Sequence, residues 1–226
     1  MKEIKLIAFD YDRVLTDENL KFDNRLIPYL EDIRNNGIIS GIITGRRWNY
    51  IEKMKNYFDF IVYENGFFLY YNKHINLFDN IQENTAKNVK KILESHNVDC
   101  IFGELLISCT LDKMNYVMEI KESMEDIDIV TNIDRFLILP KGINKGSALK
   151  YVLNMFNIKE DNAAVVGDGE NDVLMFKIAG FPACIGNSID ELKKISRFCS
   201  NEKFSNGTME ILSYLKNMDY EYDENI

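Results

Sequence analysis

The chain has 226 residues, of which 46% are hydrophobic and 28% are charged. These fractions are those of an ordinary globular protein, which excludes a disordered or fibrous chain. The net charge of −9 gives a surface that repels phosphate backbones and anionic lipid headgroups, so we expect no general nucleic-acid or membrane partner. At about 150 residues per domain, this length predicts one domain with a substantial insertion, or two small domains.

The cysteine and apolar patterns indicate a reducing compartment and no membrane anchor. Cys100, Cys109, Cys184 and Cys199 form no Cys-x-x-Cys pair, and only two histidines accompany them, so no zinc set is recognisable. We therefore predict that all four are small, buried apolar side chains in the reduced form. The first residues lack the apolar segment of a signal peptide, and no stretch reaches the roughly 18 apolar residues of a spanning helix. This predicts a soluble, cytoplasmic protein.

The first 63 residues alternate strand and helix patterns. Residues 4–9 form a short β-rich run, and residues 24–36 place apolar side chains at helical spacing before an Asn-Gly end signal. Residues 38–43 are a nearly continuous β-branched run, typical of a strand covered on both faces. A helix over 47–57 and a buried strand over 60–63 follow. This βαβαβ order predicts an α/β fold with a doubly wound parallel sheet, a Rossmann-like core.

The middle of the chain has the pattern of an inserted α+β unit. Its strand patterns are closely spaced, as in an antiparallel sheet with helices on one face. The predicted elements are a hairpin of residues 67–71 and 75–78, a helix over 85–96, and strands over 105–109, 127–131 and 135–139, with a helix before the second of these strands. We therefore predict a cap domain over residues 67–140, with hinges near residue 66 and residues 140–142.

After residue 141 the alternation of strand and helix resumes. The predicted elements are a helix over 144–156, a strand over 163–166, a helix over 170–179, a strand over 181–185, and helices over 189–195 and 207–218. These elements complete the core. The predicted domains are therefore residues 1–66 together with 141–226 as the α/β core, and residues 67–140 as the α+β cap.

Three polar loops directly follow predicted buried strands. They are residues 10–12 (DYD), residues 44–46 (TGR) and residues 167–172 (GDGEND). In a doubly wound sheet the ligand lies beyond the carboxyl ends of the strands, so these loops should meet at one site. Four aspartates there repel one another unless a cation neutralises them, and oxygen ligands without a nearby His or Cys favour Mg²⁺. Each loop alone is ordinary turn sequence, and the combination carries the prediction.

This combination resembles the haloacid dehalogenase-like phosphohydrolases over nearly the whole chain. The four family motifs are similar to residues 9–16 (FDYDRVLT), 43–46 (ITGR), 144–149 (NKGSAL) and 166–172 (VGDGEND), the last being the most specific. The predicted cap lies between the second and third motifs, as in one branch of the family, and residues 64–66 (ENG) also match that branch. Within it the chain most resembles the archaeal-type phosphoglycolate phosphatases and their relatives, the sucrose phosphatases.

The resemblance implies a role for each polar motif residue. Asp10 would be the nucleophile that forms an aspartyl-phosphate, and Asp12 would protonate the leaving alcohol and then activate water. Asn171 would position Lys145 or the phosphate. The implied Mg²⁺ ligands are Asp10, the backbone carbonyl of Asp12, Asp168 and Asp172. The implied substrate-binding residues are Thr44, Gly45, Arg46, Lys145 and Asn171, with Thr44 and Lys145 holding phosphate oxygens during transfer.

One position departs from the family pattern, which usually has Gly after the second aspartate. Arg13 stands there in this chain. Three readings are open: the backbone accommodates the arginine, its guanidinium contacts an anionic substrate, or it impairs the chemistry. If the position requires a positive φ, an arginine there is strained by roughly 1 kcal/mol.

The resemblance implies a Mg²⁺-dependent phosphatase of a small phosphorylated metabolite, with 2-phosphoglycolate as the first expectation. A sugar-phosphate or mannosyl-phosphoglycerate phosphatase and a phosphomutase are alternatives in the same family, and a non-catalytic phosphate-binding or regulatory protein is the alternative outside it. In the cap, four polar residues are candidate contacts to an acidic leaving group, although such side chains are more often solvated: Lys113, Asn115, Arg135 and Lys141. We expect a monomer or homodimer.

Overall fold

The computed structural model describes residues 3–132 and 135–223. The strands are, in chain order, β1 (Leu6–Phe9), β2 (Ile39–Ile43), β3 (Phe60–Tyr63), β4 (Phe68–Tyr71), β5 (Lys73–Asn76), β6 (Cys100–Phe102), β7 (Ile107–Thr110), β8 (Ile127–Asn132), β9 (Arg135–Pro140), β10 (Ala163–Gly167), β11 (Phe181–Cys184) and β12 (Phe198–Cys199). The helices are α1 (Ile27–Asn35), α2 (Trp48–Ile51), α3 (Asn80–Ser95), α4 (Met114–Ser123), α5 (Lys145–Met155), α6 (Val173–Phe176), α7 (Asp190–Ile195) and α8 (Phe204–Asp223).

The larger sheet is doubly wound, as predicted. Its strand order is β12-β11-β10-β1-β2-β3-β4-β5, with parallel pairing from β12 to β3. The chain winds from β1 through β2 to β3 on one side, then returns at β10 on the other side of β1. The winding direction therefore reverses between β1 and β10, and a crevice opens beyond the carboxyl ends of strands at such a point.

The central strands are apolar on both faces because helices cover both sides of the sheet. Side chains of a strand alternate between the two faces, and β1 shows this alternation directly. Ile7 and Phe9 belong to one hydrophobic cluster, which includes Leu30 of α1. Leu6 and Ala8 belong to a second cluster on the opposite face, which includes Leu149 of α5. The continuous apolar run that predicted β1 is thus explained by two separate cores.

The smaller sheet is antiparallel, with strand order β6-β7-β9-β8. Helices α3 and α4 pack on it through a third hydrophobic cluster, to which Val89, Leu93, Val117 and Phe136 contribute. The antiparallel sheet with helices predicted for the middle of the chain is present. Helix α3 begins at Asn80, five residues before the predicted start, because Asp79 and Gln82 form a capping box there.

The hairpin predicted over residues 67–78 lies in a different place from the one expected. Strands β4 and β5 extend the larger sheet: β4 pairs antiparallel with β3, and β5 pairs with β4. A single 3-10 turn of residues Glu64–Gly66 reverses the chain between β3 and β4. In this position Phe68 and Leu69 are buried in the two hydrophobic clusters that cover the larger sheet.

The prediction of four reduced cysteines is wrong for two of them. Cys100 and Cys109 form a disulfide, with a distance of 4.3 Å between their Cα atoms. They occupy facing positions on β6 and β7, a register that cysteine spacing alone does not indicate. Cys184 is free and buried, as predicted, whereas Cys199 is free but exposed, so its predicted burial is wrong. Within residues 3–132 and 135–223, no helix is long and apolar enough to cross a membrane.

Candidate active site

Three strand ends of the larger sheet bring polar side chains to the crevice between β1 and β10. Asp10 directly follows β1, and its backbone N–H continues the ladder by donating to the carbonyl of Val166 on β10, at 2.9 Å. Thr44 directly follows β2, and its backbone N–H donates to the carbonyl of Val62 on β3. Asp168 directly follows β10. The predicted meeting of the three loops is therefore what the strand order produces.

A buried lysine joins two of the aspartates. Lys145 is the first residue of α5, where a capping box of Asn144 and Ser147 fixes the start of the helix. Its ammonium Nζ lies 2.6 Å from Oδ1 of Asp10 and 2.6 Å from Oδ1 of Asp172. The side chains of Lys145 and Asp172 are both 0% exposed. A buried charge is tolerated only when it is paired in this way.

Asp172 also organises the loop that follows β10. Its Oδ2 accepts the backbone N–H groups of Asp168 at 2.9 Å and Gly169 at 3.0 Å. The carboxylate packs so closely on Gly167 that a Cβ at that position would lie 2.6 Å from Oδ2. Glycine at 167 is therefore required by the close approach of Asp172, and not merely by a turn.

The carboxyl oxygens of Asp10, Asp168 and Asp172 form one cluster, with ligand atoms within 4.8 Å of one another. Burial raises the pKa of Asp10 to about 7; Lys145 opposes this rise, while Asp172 and Asp12 add to it. Burial, followed by the charges of Asp10 and Asp172, raises the pKa of Asp168 to about 8. Full ionisation of the cluster at neutral pH is thus unfavourable unless more positive charge arrives.

Lys145 keeps its charge in this cluster. Burial lowers the pKa of Lys145, but the charges of Asp10 and Asp172 outweigh that effect and hold the pKa above its ordinary value. Three buried carboxyl groups and one ammonium leave an excess of negative charge when all are ionised. Oxygen-only donors around a small volume suit a hard divalent cation, so the residues fit a Mg²⁺ ion.

Asp12 points to a different partner. Arg46 donates to both of its carboxylate oxygens, from Nε to Oδ2 at 2.8 Å and from Nη2 to Oδ1 at 2.7 Å. The Arg46 guanidinium also lies over the ring of Tyr50, 4.3 Å from the centroid. The planar fork of arginine matches a carboxylate in two bonds, which fixes orientation as well as distance. The side chain of Asp12 is therefore held beside the cluster by Arg46.

The phosphate-binding residues predicted on the second loop are close together but differ in exposure. Thr44 is fully buried, and its Oγ1 accepts the backbone N–H of Arg46 at 3.1 Å. A Cβ added at Gly45 would meet open space.

Asn171 lies on the loop after β10. It contacts neither Lys145 nor Asp172 among the hydrogen bonds of the described residues, and its Nδ2 donates to Oδ1 of Asn65 at 3.2 Å.

Arg13 adopts the left-handed backbone conformation that the family glycine would favour, with φ 62°. Its backbone N–H donates to Oγ1 of Thr16 at 2.7 Å, which stabilises the turn. The arginine lies near enough to Asp168 for its charge to oppose the rise in the pKa of that carboxyl group. The backbone at position 13 therefore has the positive φ at which an arginine is strained.

Sequence reasoning missed two residues that support Asp168 from behind. Nδ2 of Asn187 donates to Oδ2 of Asp168 at 3.3 Å, and Oγ of Ser188 donates to the carbonyl of Gly167 at 3.0 Å. Both follow β11, the next strand of the sheet. They lie a few residues beyond the end of β11 at Cys184, so a search that extended past the residues next to each buried strand could have found them.

The candidate cap contacts do not converge on the cluster. Arg135 donates to Oγ and the carbonyl of Ser108 within the smaller sheet, and Lys113 pairs with Asp112. Asn115 and Lys141 are exposed. The structure thus gives no direct pointer from these four side chains to a leaving group.

Comparison with known proteins finds a match that spans most of the chain. Residues 7–136 and 109–212 match the family described as haloacid dehalogenase-like hydrolase. A phosphoglycolate phosphatase of Sulfurisphaera tokodaii is 27% identical over 222 residues, covering 94% of each chain. A solved structure from Thermoplasma acidophilum has a TM-score of 0.82 at 20% identity, covering 95% of this chain and 99% of the other.

A second similar structure is named for another substrate class than the phosphoglycolate phosphatase. It is a sugar phosphatase of subclass IIB of the haloacid dehalogenase superfamily, with a TM-score of 0.73 at 20% identity, covering 86% of this chain and 92% of the other. At such identities the two structural matches speak for the fold alone.

Proposed function

The chain belongs to the haloacid dehalogenase-like hydrolases, and from this premise we propose that it is a Mg²⁺-dependent phosphatase of a small phosphomonoester, with 2-phosphoglycolate as the first candidate. The observation that carries the proposal is the buried cluster of Asp10, Asp168 and Asp172 with Lys145 in direct contact. The name of the archaeal relative supports the choice of first substrate.

The proposed reaction has two steps at Asp10. The Asp10 carboxylate attacks phosphorus, the bond from phosphorus to the alcohol oxygen breaks, and Asp12 gives its proton to that oxygen. Asp12 then takes a proton from water, and the water oxygen attacks the aspartyl-phosphate, which releases inorganic phosphate and restores Asp10. In the structure both Asp12 oxygens accept from Arg46, which holds the carboxylate in place for the second step. For the first step one of these two bonds would have to open, so that the freed oxygen can carry the proton that passes to the leaving alcohol.

The cluster residues divide the remaining tasks. Asp10, Asp168 and Asp172 would hold Mg²⁺, with the backbone carbonyl of Asp12 as a further proposed ligand. The cation supplies positive charge that offsets the repulsion between the phosphate and the Asp10 carboxylate. Lys145 and the hydroxyl of Thr44 would bind phosphate oxygens, where negative charge changes during transfer. Asn187 keeps Asp168 oriented for this purpose.

The division of labour between the two sheets is also part of the proposal. The larger sheet would carry the chemistry, and the smaller sheet with α3 and α4 would cover the phosphate site and select the leaving group. A sugar phosphate is the second candidate substrate, favoured by the fold shared with the sugar phosphatase.

The test is phosphate release from a panel that includes 2-phosphoglycolate, hexose phosphates and mannosyl-phosphoglycerate, with Mg²⁺ or with EDTA. We expect release to require the metal, and Asp10→Asn to lower turnover by about 10³-fold or more, since the amide is no nucleophile. The matched control is Asp99→Asn, the same change at an exposed position.

Each other outcome points elsewhere. Full activity in Asp10→Asn contradicts the nucleophile. No release from any ester by folded wild-type protein favours a phosphate-binding or regulatory protein. An isomerised sugar phosphate without free phosphate identifies a phosphomutase.

A further inference from the structure

Glu64 is a buried carboxylate that the proposed reaction does not use. It directly follows β3, and only 2% of the residue is exposed. Its backbone is in the left-handed region, with φ 50°, and Asn65 follows with φ 58°. Such a conformation is uncommon for a glutamate and persists only where the surroundings enforce it. Its contacts identify what enforces it.

The carboxylate of Glu64 accepts three consecutive backbone N–H groups from the smaller sheet. Oε1 accepts the N–H of Glu104 at 2.8 Å, and Oε2 accepts the N–H groups of Leu105 and Leu106, both at 2.9 Å. These donors lie in residues 103–106, the loop that joins β6 to β7 and that we call the hairpin tip. A turn bond from the N–H of Gly103 to the carbonyl of Leu106, at 2.7 Å, closes the tip.

Two of these three N–H donors belong to buried residues. Leu105 and Leu106 are buried in the hydrophobic cluster that also contains Phe9 of β1. A buried N–H without an acceptor is strongly unfavourable, and a charged acceptor gives a stronger bond than a neutral one. Gly103 makes the close approach possible, since a Cβ there would lie 2.6 Å from Oε1 of Glu64.

The backbone beside Glu64 is bonded to the phosphate-binding loop. The N–H of Glu64 donates to the carbonyl of Arg46 at 2.9 Å, and the N–H of Asn65 donates to the carbonyl of Thr44 at 2.8 Å. Arg47, next to Arg46, reaches the same hairpin, because its Nη1 donates to the carbonyl of Phe102 at 3.3 Å. Glu64 thus connects the hairpin tip to the loop whose Arg46 bonds to Asp12.

From these contacts we propose that Glu64 is a positioning residue that sets the hairpin tip over the phosphate site and thereby the fit of the leaving group. The inference rests on the proposed phosphatase function for its kinetic consequence, but not for its structural one. Arg46, Arg47, Asn49 and Tyr50 line a cavity of about 190 Å³, and Arg47 of this lining bonds to Phe102 of the hairpin. The proposal places the leaving group in this cavity, so a displaced tip would alter the fit of the leaving group and leave the buried carboxylate cluster intact.

The test compares Glu64→Gln with Glu104→Gln, the same change at an exposed side chain of the same tip. An amide presents one acceptor oxygen and an NH₂ group to three donors, so at least one N–H loses its acceptor. Amide hydrogen exchange at residues 104–106 should accelerate about tenfold or more in Glu64→Gln and stay at the wild-type rate in Glu104→Gln.

The kinetic part separates positioning from general damage. We expect KM for 2-phosphoglycolate to rise about five- to twentyfold with kcat within about threefold, as when binding shared by ground and transition states is lost. Inhibition by inorganic phosphate, which has no leaving group, should keep its inhibition constant within about twofold. If the substrate KM and the phosphate inhibition constant change equally, or exchange is unaltered, the proposal is overturned.

A second variant reaches the same contact from the other side. Gly103→Ala places a Cβ against Oε1 and leaves Glu64 and the larger sheet unaltered, so it should reproduce both effects even if Glu64→Gln folds poorly. Failure of the phosphatase proposal is separately visible as no release by the wild type. The calorimetric affinities of wild type and Gly103→Ala for 2-phosphoglycolate and for inorganic phosphate then replace KM, and equal changes in both would again overturn the inference.

Discussion

The two sheets of this protein place their charged side chains in opposite ways. At the carboxyl ends of the larger sheet, Asp10, Asp172 and Lys145 are buried and in contact. In the region of the smaller sheet, Lys113 in the turn after β7 forms an ion pair at the surface, and Arg135 of β9 bonds to Ser108 of β7. Buried charges have few alternative partners, whereas exposed charges are solvated and can be exchanged at little cost. The difference teaches that the larger sheet holds its charged groups in one fixed arrangement, whereas charged groups of the smaller sheet can be replaced at little cost.

The largest effect should come from removing the Lys145 ammonium group, which contacts Asp10 and Asp172. Lys145→Met leaves the carboxyl groups of Asp10 and Asp172 buried without their partner, which we expect to lower the free energy of unfolding by about 3–5 kcal/mol. Turnover should fall by about 10³-fold, since the ammonium also contacts Asp10, the proposed nucleophile. Denaturant unfolding and phosphate release measure the two effects.

Lys113→Met makes the same chemical change in the smaller sheet. Its unfolding free energy should stay within about 0.5 kcal/mol of the wild type because the ion pair with Asp112 is exposed. Equal losses in the two variants would contradict the contrast between the sheets.

A smaller effect should come from adding Mg²⁺ at different pH values. The pKa values of Asp10 and Asp168 are raised from 3.8 to about 7 and about 8. A carboxyl group with a raised pKa binds its proton more tightly in the folded state, so its contribution to stability is complete below about pH 4 and is lost as the pH rises through 7 to 8. The contribution of these two groups should therefore make the metal-free protein melt at a lower temperature at pH 8.5 than at pH 5.5.

The proposed Mg²⁺ ion would offset that loss of stability, since it would bind the ionised carboxylates. At about 100 times its dissociation constant, Mg²⁺ should raise Tm by about 5–10 °C at pH 8.5 and by much less at pH 5.5. Differential scanning calorimetry with and without EDTA measures the shift. Asp168→Asn, which removes one ligand, serves as the control, and an unchanged Mg²⁺ response in that variant would remove Asp168 from the site.

The smallest effect should come from the residue that departs from the family pattern. Because Arg13 has φ 62°, Arg13→Gly should raise the free energy of unfolding by about 0.5–1 kcal/mol through relief of backbone strain. We expect kcat to stay within about threefold, as accommodation of the arginine implies. A gain in turnover well beyond that would show that the guanidinium impairs the site, and a rise in KM alone would make it a substrate contact.

Sequence alone predicted the parts of the molecule that depend on strand order. Asp10, Thr44 and Asp168 follow buried runs, and parallel strands bring their carboxyl ends to one edge. The placement of the hairpin β4–β5 was not predictable in this way, since two short apolar strands pair as well with a neighbouring sheet as with an inserted one. A one-turn connection of three residues decides for the larger sheet.

The contacts of Glu64 and the Cys100–Cys109 disulfide lay beyond the reach of sequence for a related reason. Both depend on which residues of distant segments face each other, and neither shows a periodic pattern. Glu64 bonds to a loop 40 to 42 residues away in the chain. By contrast, Asn187 and Ser188 lie a few residues beyond a buried strand and were within reach of a wider search of the kind that found Asp168.

The hairpin β4–β5 also determines which strand lies at one edge of the larger sheet. It makes β5 one outer strand, and this strand carries Lys73, His74 and Asn76 in exposed positions. The opposite outer strand, β12, has two residues. Short or charged outer strands are poor templates for the addition of a foreign strand. The larger sheet is therefore poorly suited to edge-to-edge growth at either of its outer strands.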